Sequence, residues 1–84
     1  MKLIFSENAW EDYTYWQKTD KKIVKRINEL IKDIQKNKYE GIGKPEPLRH
    51  NLSGYWSRRI TSEHRLIYKI EKSEILLAQM RYHY

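Results

Sequence analysis

The clearest pattern along the chain lies between residues 20 and 36. Ile23, Ile27, Leu30, Ile31 and Ile34 recur at offsets 0, 4, 7, 8 and 11, the spacing of one face of an α-helix. Lys21, Lys22, Lys25, Arg26 and Lys32 occupy the other faces. Asp20 precedes this run, where its carboxylate can accept from the first free backbone N–H groups. An earlier helix is predicted after Ser6, with Glu7 in its first turn and Ala9, Tyr13 and Trp16 along one side. Only Thr19-Asp20 separates the two runs, so the helices should form a hairpin. Ahead of them, Lys2–Phe5 reads as a short strand.

The period changes after residue 40. Both prolines and two of the three glycines fall within Gly41-Ile42-Gly43-Lys44-Pro45-Glu46-Pro47, which marks a loop with a stiff end. Residues 48–52, 55–60, 65–70 and 75–82 then read as four strands, turned by Ser53-Gly54, by residues 61–64 and by residues 71–74. The order β-α-α-β-β-β-β predicts an α+β fold over one domain, residues 1–84: a small antiparallel sheet with the N-terminal helix hairpin packed on one face. Alternation sends Leu66, Tyr68 and Ile70 to one face and Arg65, Ile67 and Lys69 to the other. On the last strand Leu76, Ala78, Met80 and Tyr82 form an apolar set, with Gln79, Arg81 and His83 opposite. One sheet face should therefore lie under the helices, and the other should carry Arg65 and His83. Strand register does not follow from the pattern alone.

Charge narrows the class of partner. Seventeen Lys and Arg against eleven Asp and Glu leave a net charge of +6 and a pI near 9.6. That favours a polyanion, chiefly nucleic acid, or an acidic protein; an ordinary solvated surface is the plainer alternative. Three Trp, seven Tyr and one Phe add rings that could stack on unpaired bases, although the core needs most of them. The absence of cysteine excludes disulfides and thiolate zinc sites. Residues 1–5 are too short for the apolar part of a signal peptide, and no run approaches a membrane span, so a cytoplasmic protein without membrane attachment is expected. His50, His64 and His83 lack compact metal-ligand spacing, and there is no nucleophile elbow, phosphate-binding glycine loop or dinucleotide fingerprint. No metal or other cofactor is expected.

The remaining candidates for chemistry lie in two places. Glu46 sits between Pro45 and Pro47, which restrict its backbone, with Lys44 and Arg49 on either side. It is either a solvated loop carboxylate paired with a lysine or a general base beside a phosphate-binding cluster. His83 stands one residue from the end of the chain in Arg81-Tyr82-His83-Tyr84, either as a solvated side chain or as a proton donor held by the preceding strand. Arg65 can pair with Glu63 or clamp a phosphate, and Arg58 and Arg59 can be solvated strand residues beside Trp56. Metal-independent RNA cleavage needs a base for the ribose 2′-hydroxyl, an acid for the departing 5′-oxygen and cations for the phosphoryl oxygens. Glu46, His83 and Arg65 fill those roles, and Lys44, Arg49, Arg59 and Tyr84 are candidates for contacts to neighbouring phosphates.

At these residues the chain resembles the YoeB (Txe/YoeB) toxins of the RelE/ParE superfamily. The likeness runs nearly end to end and is densest in Gly43-Lys44-Pro45-Glu46-Pro47-Leu48, Trp56-Ser57-Arg58-Arg59-Ile60, Glu63-His64-Arg65-Leu66 and Arg81-Tyr82-His83-Tyr84. It implies a RelE-like, microbial-ribonuclease-like fold and a ribosome-dependent endonuclease cutting mRNA in the decoding A site, with contacts to ribosomal RNA. It implies base, acid and clamp at Glu46, His83 and Arg65. It further implies a YefM-like antitoxin whose C-terminal segment disables the site, and operator DNA bound only through that complex. Homodimerisation is left open. Arg49 replaces a lysine of the family, exchanging a point charge for a planar fork. Phe5 stands where close relatives are expected to carry Trp, and residues 35–42 and 70–79 diverge. The competing reading is a non-catalytic binder, either a ParE-like gyrase inhibitor or an RNA-binding module; the Glu46, Arg65 and His83 set favours the enzyme.

Overall fold

The computed structural model describes residues 1–82. β1 (Lys2–Phe5) leads into α1 (Glu7–Thr19) and α2 (Lys21–Lys36), followed by β2 (Glu46–Pro47), β3 (Trp56–Arg59), β4 (Arg65–Glu71) and β5 (Glu74–Gln79). Ser6 caps α1 by accepting from the Ala9 amide at 3.0 Å, while its own hydroxyl donates to the Ala78 carbonyl at 2.8 Å. The cap therefore ties the helix start to β5. Asp20 serves both helices: its N–H donates to Trp16, closing α1, and its carboxylate accepts from the Lys22 amide, opening α2. The expected hairpin forms, and Tyr13 crosses it with a 2.9 Å hydrogen bond from its hydroxyl to Asn28 Oδ1.

The helices lie on one face of a five-stranded sheet ordered β1-β5-β4-β3-β2. β1 runs parallel to β5, and the other pairs are antiparallel. Ile27, Leu30, Ile31 and Ile34 of α2, with Ala9 and Trp16 of α1, close over Ile60, Leu66, Tyr68, Ile75, Leu77 and Met80. The α2 stripe read from the sequence is thus the one buried, with Ile23 and Val24 at its half-buried margin.

Two strand assignments change. The segment from residue 48 to 52 does not extend as a strand; His50–Leu52 forms a 3-10 turn, with His50 at φ +59. Glu46 and Pro47 pair with β3 in its place, and the Leu48 amide adds one more bond to Tyr55 O at 2.9 Å. The flanking prolines hold this stretch extended, and a strand containing Pro47 suits an edge because Pro has no N–H to give a second neighbour.

The last strand stops at Gln79 rather than continuing to Tyr82. Its inward residues are Ile75 and Leu77, not the expected Leu76 and Ala78; Met80 is inward as expected, and Tyr82 is exposed. The cause is a bulge. Ile67 opposes Gln79 while Tyr68 opposes Leu77, so Ala78 is an extra residue and the phase shifts around it. Simple alternation cannot anticipate an inserted residue.

The long loop before β2 is organised by a buried arginine. Arg58, fully buried, donates Nη1 to Asp33 Oδ2 at 2.5 Å and to Ile42 O at 3.1 Å. Its Nη2 donates to Asn37 O at 2.6 Å and Glu40 O at 2.7 Å, and Nε reaches the Tyr68 hydroxyl at 3.3 Å. Tyr68 in turn donates to Lys38 O at 2.8 Å. Arg58 is therefore not a solvated strand residue; it supplies the partners that residues 37–42 would otherwise take from secondary structure. Gly41 fits only as glycine, since a Cβ there would stand 1.9 Å from Asp33 Oδ2 and its φ is +116°.

Candidate functional site

Strand pairing places three of the candidate residues, Glu46, Arg59 and Arg65, on the sheet face away from the helices. Ser57 pairs with Glu46 on one side and Ile67 on the other, so the three form one row. Arg59 and Arg65 are paired directly and lie two residues along, on the same face. Ladder spacing sets the Glu46 and Arg59 backbones roughly 8 Å apart and the Glu46 and Arg65 backbones roughly 12 Å apart. Long side chains on this scale can converge on one phosphodiester. Arg58, between Ser57 and Arg59, points oppositely into the core, and its burial follows from the same alternation.

Lys44 reaches this region through the loop. The Arg59 amide donates to Gly43 O at 2.6 Å, which seats Lys44 beside β3. Arg49 lies beyond β2, where residues 46–50 shape an open hollow of about 390 Å³. Glu46, Lys44, Arg49 and Arg59 are exposed. Among the described residues the ion pairs within 4.0 Å are Arg58–Asp33 and Lys69–Glu71, so Glu46 is not held by Lys44 and Arg65 is not paired with Glu63. Arg65 instead donates Nη1 to Thr61 O at 3.0 Å, with longer contacts to Ser62 O and His64 O. That grip comes from the turn before β4 and leaves the cation's charge unneutralised by any described carboxylate.

His83 and Tyr84 lie outside the described residues, but the chain leading to them is held at successive points. The Met80 amide donates to Asp12 Oδ2 at 2.9 Å, and Trp16 Nε1 donates to Met80 O at 2.9 Å. The Arg81 guanidinium sits 3.7 Å over the Tyr15 ring. The Tyr82 amide donates to His64 Nδ1 at 2.8 Å, and the Arg65 amide donates to Tyr82 O at 3.1 Å. Side chains of α1 thus draw the tail off the ladder after Gln79, and the residue preceding His83 is bonded to the backbone of Arg65.

Backbone strain gathers at the same place. Of the four described non-glycine residues at positive φ, Lys44 (+50°), His50 (+59°) and Tyr82 (+60°) adjoin or belong to the candidate set; Lys72 lies in the β4–β5 turn. Such conformations persist where surrounding contacts over-determine them.

Electrostatics separate the structural ion pair from the exposed site. The hydrogen bond from Arg58 holds the Asp33 carboxyl below its ordinary range despite partial burial, with the Ile42 amide adding to the effect. Burial pushes the Tyr68 hydroxyl up, so it stays a protonated donor to Lys38 O.

Sequence reasoning missed the part played by three residues that shape the site: Asp12, Arg58 and His64. Asp12 lies with Ala9 and Trp16 on the buried side of α1, at the helical spacing that should have marked it. Arg58 could be separated from Arg59 by strand alternation. Nothing local distinguishes His64, whose role depends on a partner eighteen residues later.

A family described as YoeB-like toxin of bacterial type II toxin-antitoxin system matches residues 5–84. Toxin YoeB of Escherichia coli K12 is 66% identical over 84 residues, covering all of both chains. A YoeB/ParE toxin structure from Agrobacterium tumefaciens superposes over the full length of both chains with a TM-score of 0.98 at 45% identity. The toxin in a YoeB-YefM complex from Staphylococcus aureus covers 100% of this chain and 98% of its own, with a TM-score of 0.93 at 53% identity. With the family matched over residues 5–84 and the fold shared over the full length of both chains, the chain belongs to the YoeB-like toxins of bacterial type II toxin-antitoxin systems.

Proposed function

We propose that this toxin is a metal-independent endoribonuclease that cuts mRNA in the ribosomal A site and so stops translation. The observation that carries the chemistry is the shared open face: Glu46, Arg59 and Arg65 lie on it, and Tyr82, which precedes His83, is hydrogen-bonded to Arg65. Ionised Glu46 takes the proton of the ribose 2′-hydroxyl as that oxygen attacks the adjacent phosphorus. The bond from phosphorus to the 5′-oxygen breaks, and protonated His83 gives its proton to the leaving oxygen. Arg65 stabilises charge growing on the phosphoryl oxygens, while Lys44, Arg49, Arg59 and Tyr84 hold neighbouring nucleotides. The products are a 2′,3′-cyclic phosphate and a 5′-hydroxyl.

The ribosomal setting rests on the family resemblance, with the basic surface suited to ribosomal RNA. The same resemblance, together with the S. aureus YoeB-YefM complex, supports a YefM-like antitoxin as partner, with operator DNA reached only through that complex. A cytoplasmic site of action follows from this reading.

The test is a programmed ribosome carrying mRNA with a single 2′-deoxynucleotide at the cut site. Cleavage there should cease while the surrounding message remains intact; continued cutting at that linkage would rule out attack by the 2′-oxygen.

A further inference from the structure

The tail is gripped at Tyr82 by two consecutive residues of β4 and its preceding turn. His64 Nδ1 accepts the Tyr82 N–H, and the Arg65 N–H donates to the Tyr82 carbonyl. His64 is itself firmly placed. Its amide donates to Thr61 Oγ1, its carbonyl accepts from the Ile60 and Thr61 amides, and its ring packs 4.8 Å from Trp16 and 5.2 Å from Tyr82. At 8% exposure the imidazole is shielded from a polynucleotide on the open face. Acceptance at Nδ1 requires the neutral ring with its proton on Nε2, a state suited to holding an amide rather than binding phosphate.

Tyr82 has φ +60°, a conformation a bulky residue keeps only when its neighbours impose it. Asp12 and Trp16 already fix Met80 two residues earlier. The His64 bond restrains the Arg81–Tyr82 peptide, one unit before the Tyr82 carbonyl that the Arg65 amide holds next to the proposed acid. We infer that His64 is a positioning residue: by holding the Tyr82 amide it sets the course of the chain that leads into the proposed acid, His83. This inference rests on the acid assignment under Proposed function and deepens it.

Cleavage kinetics on programmed ribosomes test it with four variants: His64→Leu, His64→Asn, His83→Ala and the His64→Leu/His83→Ala double variant. His64→Leu removes the acceptor and should lower kcat by on the order of 10²-fold with little change in KM, because misplacing a reacting group costs about that much. His64→Asn should recover most of the loss, since Oδ1 can accept in place of Nδ1. Adding His64→Leu to His83→Ala should lower the rate no further, as expected for residues acting through one step. An amide-to-ester replacement at Tyr82 deletes the donated hydrogen while leaving every side chain in place, and should reproduce the kcat loss even if His64→Leu does not fold.

An undiminished kcat in the ester protein, or in folded His64→Leu, overturns the positioning role. So does an equal further loss in the double variant, or absence of recovery by His64→Asn. An unchanged rate in His83→Ala overturns the acid assignment and the positioning role with it. A low rate in His83→Ala beside a normal rate in the ester protein overturns the positioning role alone.

Discussion

Glu46 and Arg58 show how residues close in the sequence acquire opposite duties. Glu46 is exposed on a two-residue edge strand, without a described ion-pair partner. Arg58 is sealed beneath the sheet with Asp33 and three loop carbonyls. Glu46→Gln keeps shape and removes the proposed base; kcat should fall on the order of 10²- to 10⁴-fold, with the unfolding curve unchanged within experimental error. Arg58→Met has the opposite profile. It leaves Asp33 and the loop carbonyls without their donor, and should cost about 3–5 kcal/mol in chemical denaturation. A small loss there would mean that water replaces the guanidinium without penalty. Arg65 falls between the two, because its turn contacts position it while no described carboxylate neutralises its charge.

At the level of elements, the helix hairpin was legible because its signals are local. The α2 stripe, the two caps and the short connection all lie within a few residues of where they act. The strands were legible in number but less so in extent. β2 lay upstream of the expected segment because prolines and backbone pairing outweighed apolar content, and β5 changed phase at its bulge. The loop after α2 behaves as an element despite having no ladder, since Arg58 collects its carbonyls. Gly41→Ala tests that idea: the new methyl would collide with Asp33 Oδ2 at a positive φ, displacing the carboxylate from Arg58. The variant should be destabilised, and hydrogen exchange should accelerate in residues 37–44 more than in α1. Uniform acceleration throughout the chain would argue against a locally clamped loop.

For the whole molecule, two electrostatic consequences are measurable. Asp33 has a depressed value in the folded state, below the ordinary 3.8, so its pairing contributes fully above about pH 4. That contribution should fade as pH falls through the lower folded value. The stability gap between wild type and Asp33→Asn should therefore be level near neutrality and narrow in acid; a gap that widens in acid would contradict the sign. The second consequence follows from the net charge of +6 and the cations on the open face. RNA affinity should fall with salt, and removing Arg59 or Lys44 should flatten the log–log slope by about 0.7 for a single strand if each contacts one phosphate. A slope unchanged by both substitutions would place the RNA elsewhere.

Helices, strand count and basic character were determined within the sequence, which also names the candidate reacting groups, because spacing, capping and side-chain chemistry are properties of short segments. Which face each arginine takes, where the final strand stops and what grips the tail were decided only by the tertiary structure. Those outcomes depend on β-register, on one inserted residue at Ala78 and on bonds from Asp12, Trp16 and His64 to backbone atoms far along the chain. A hydrogen bond between distant segments has no local signature; it exists once the sheet and hairpin have brought its two ends together.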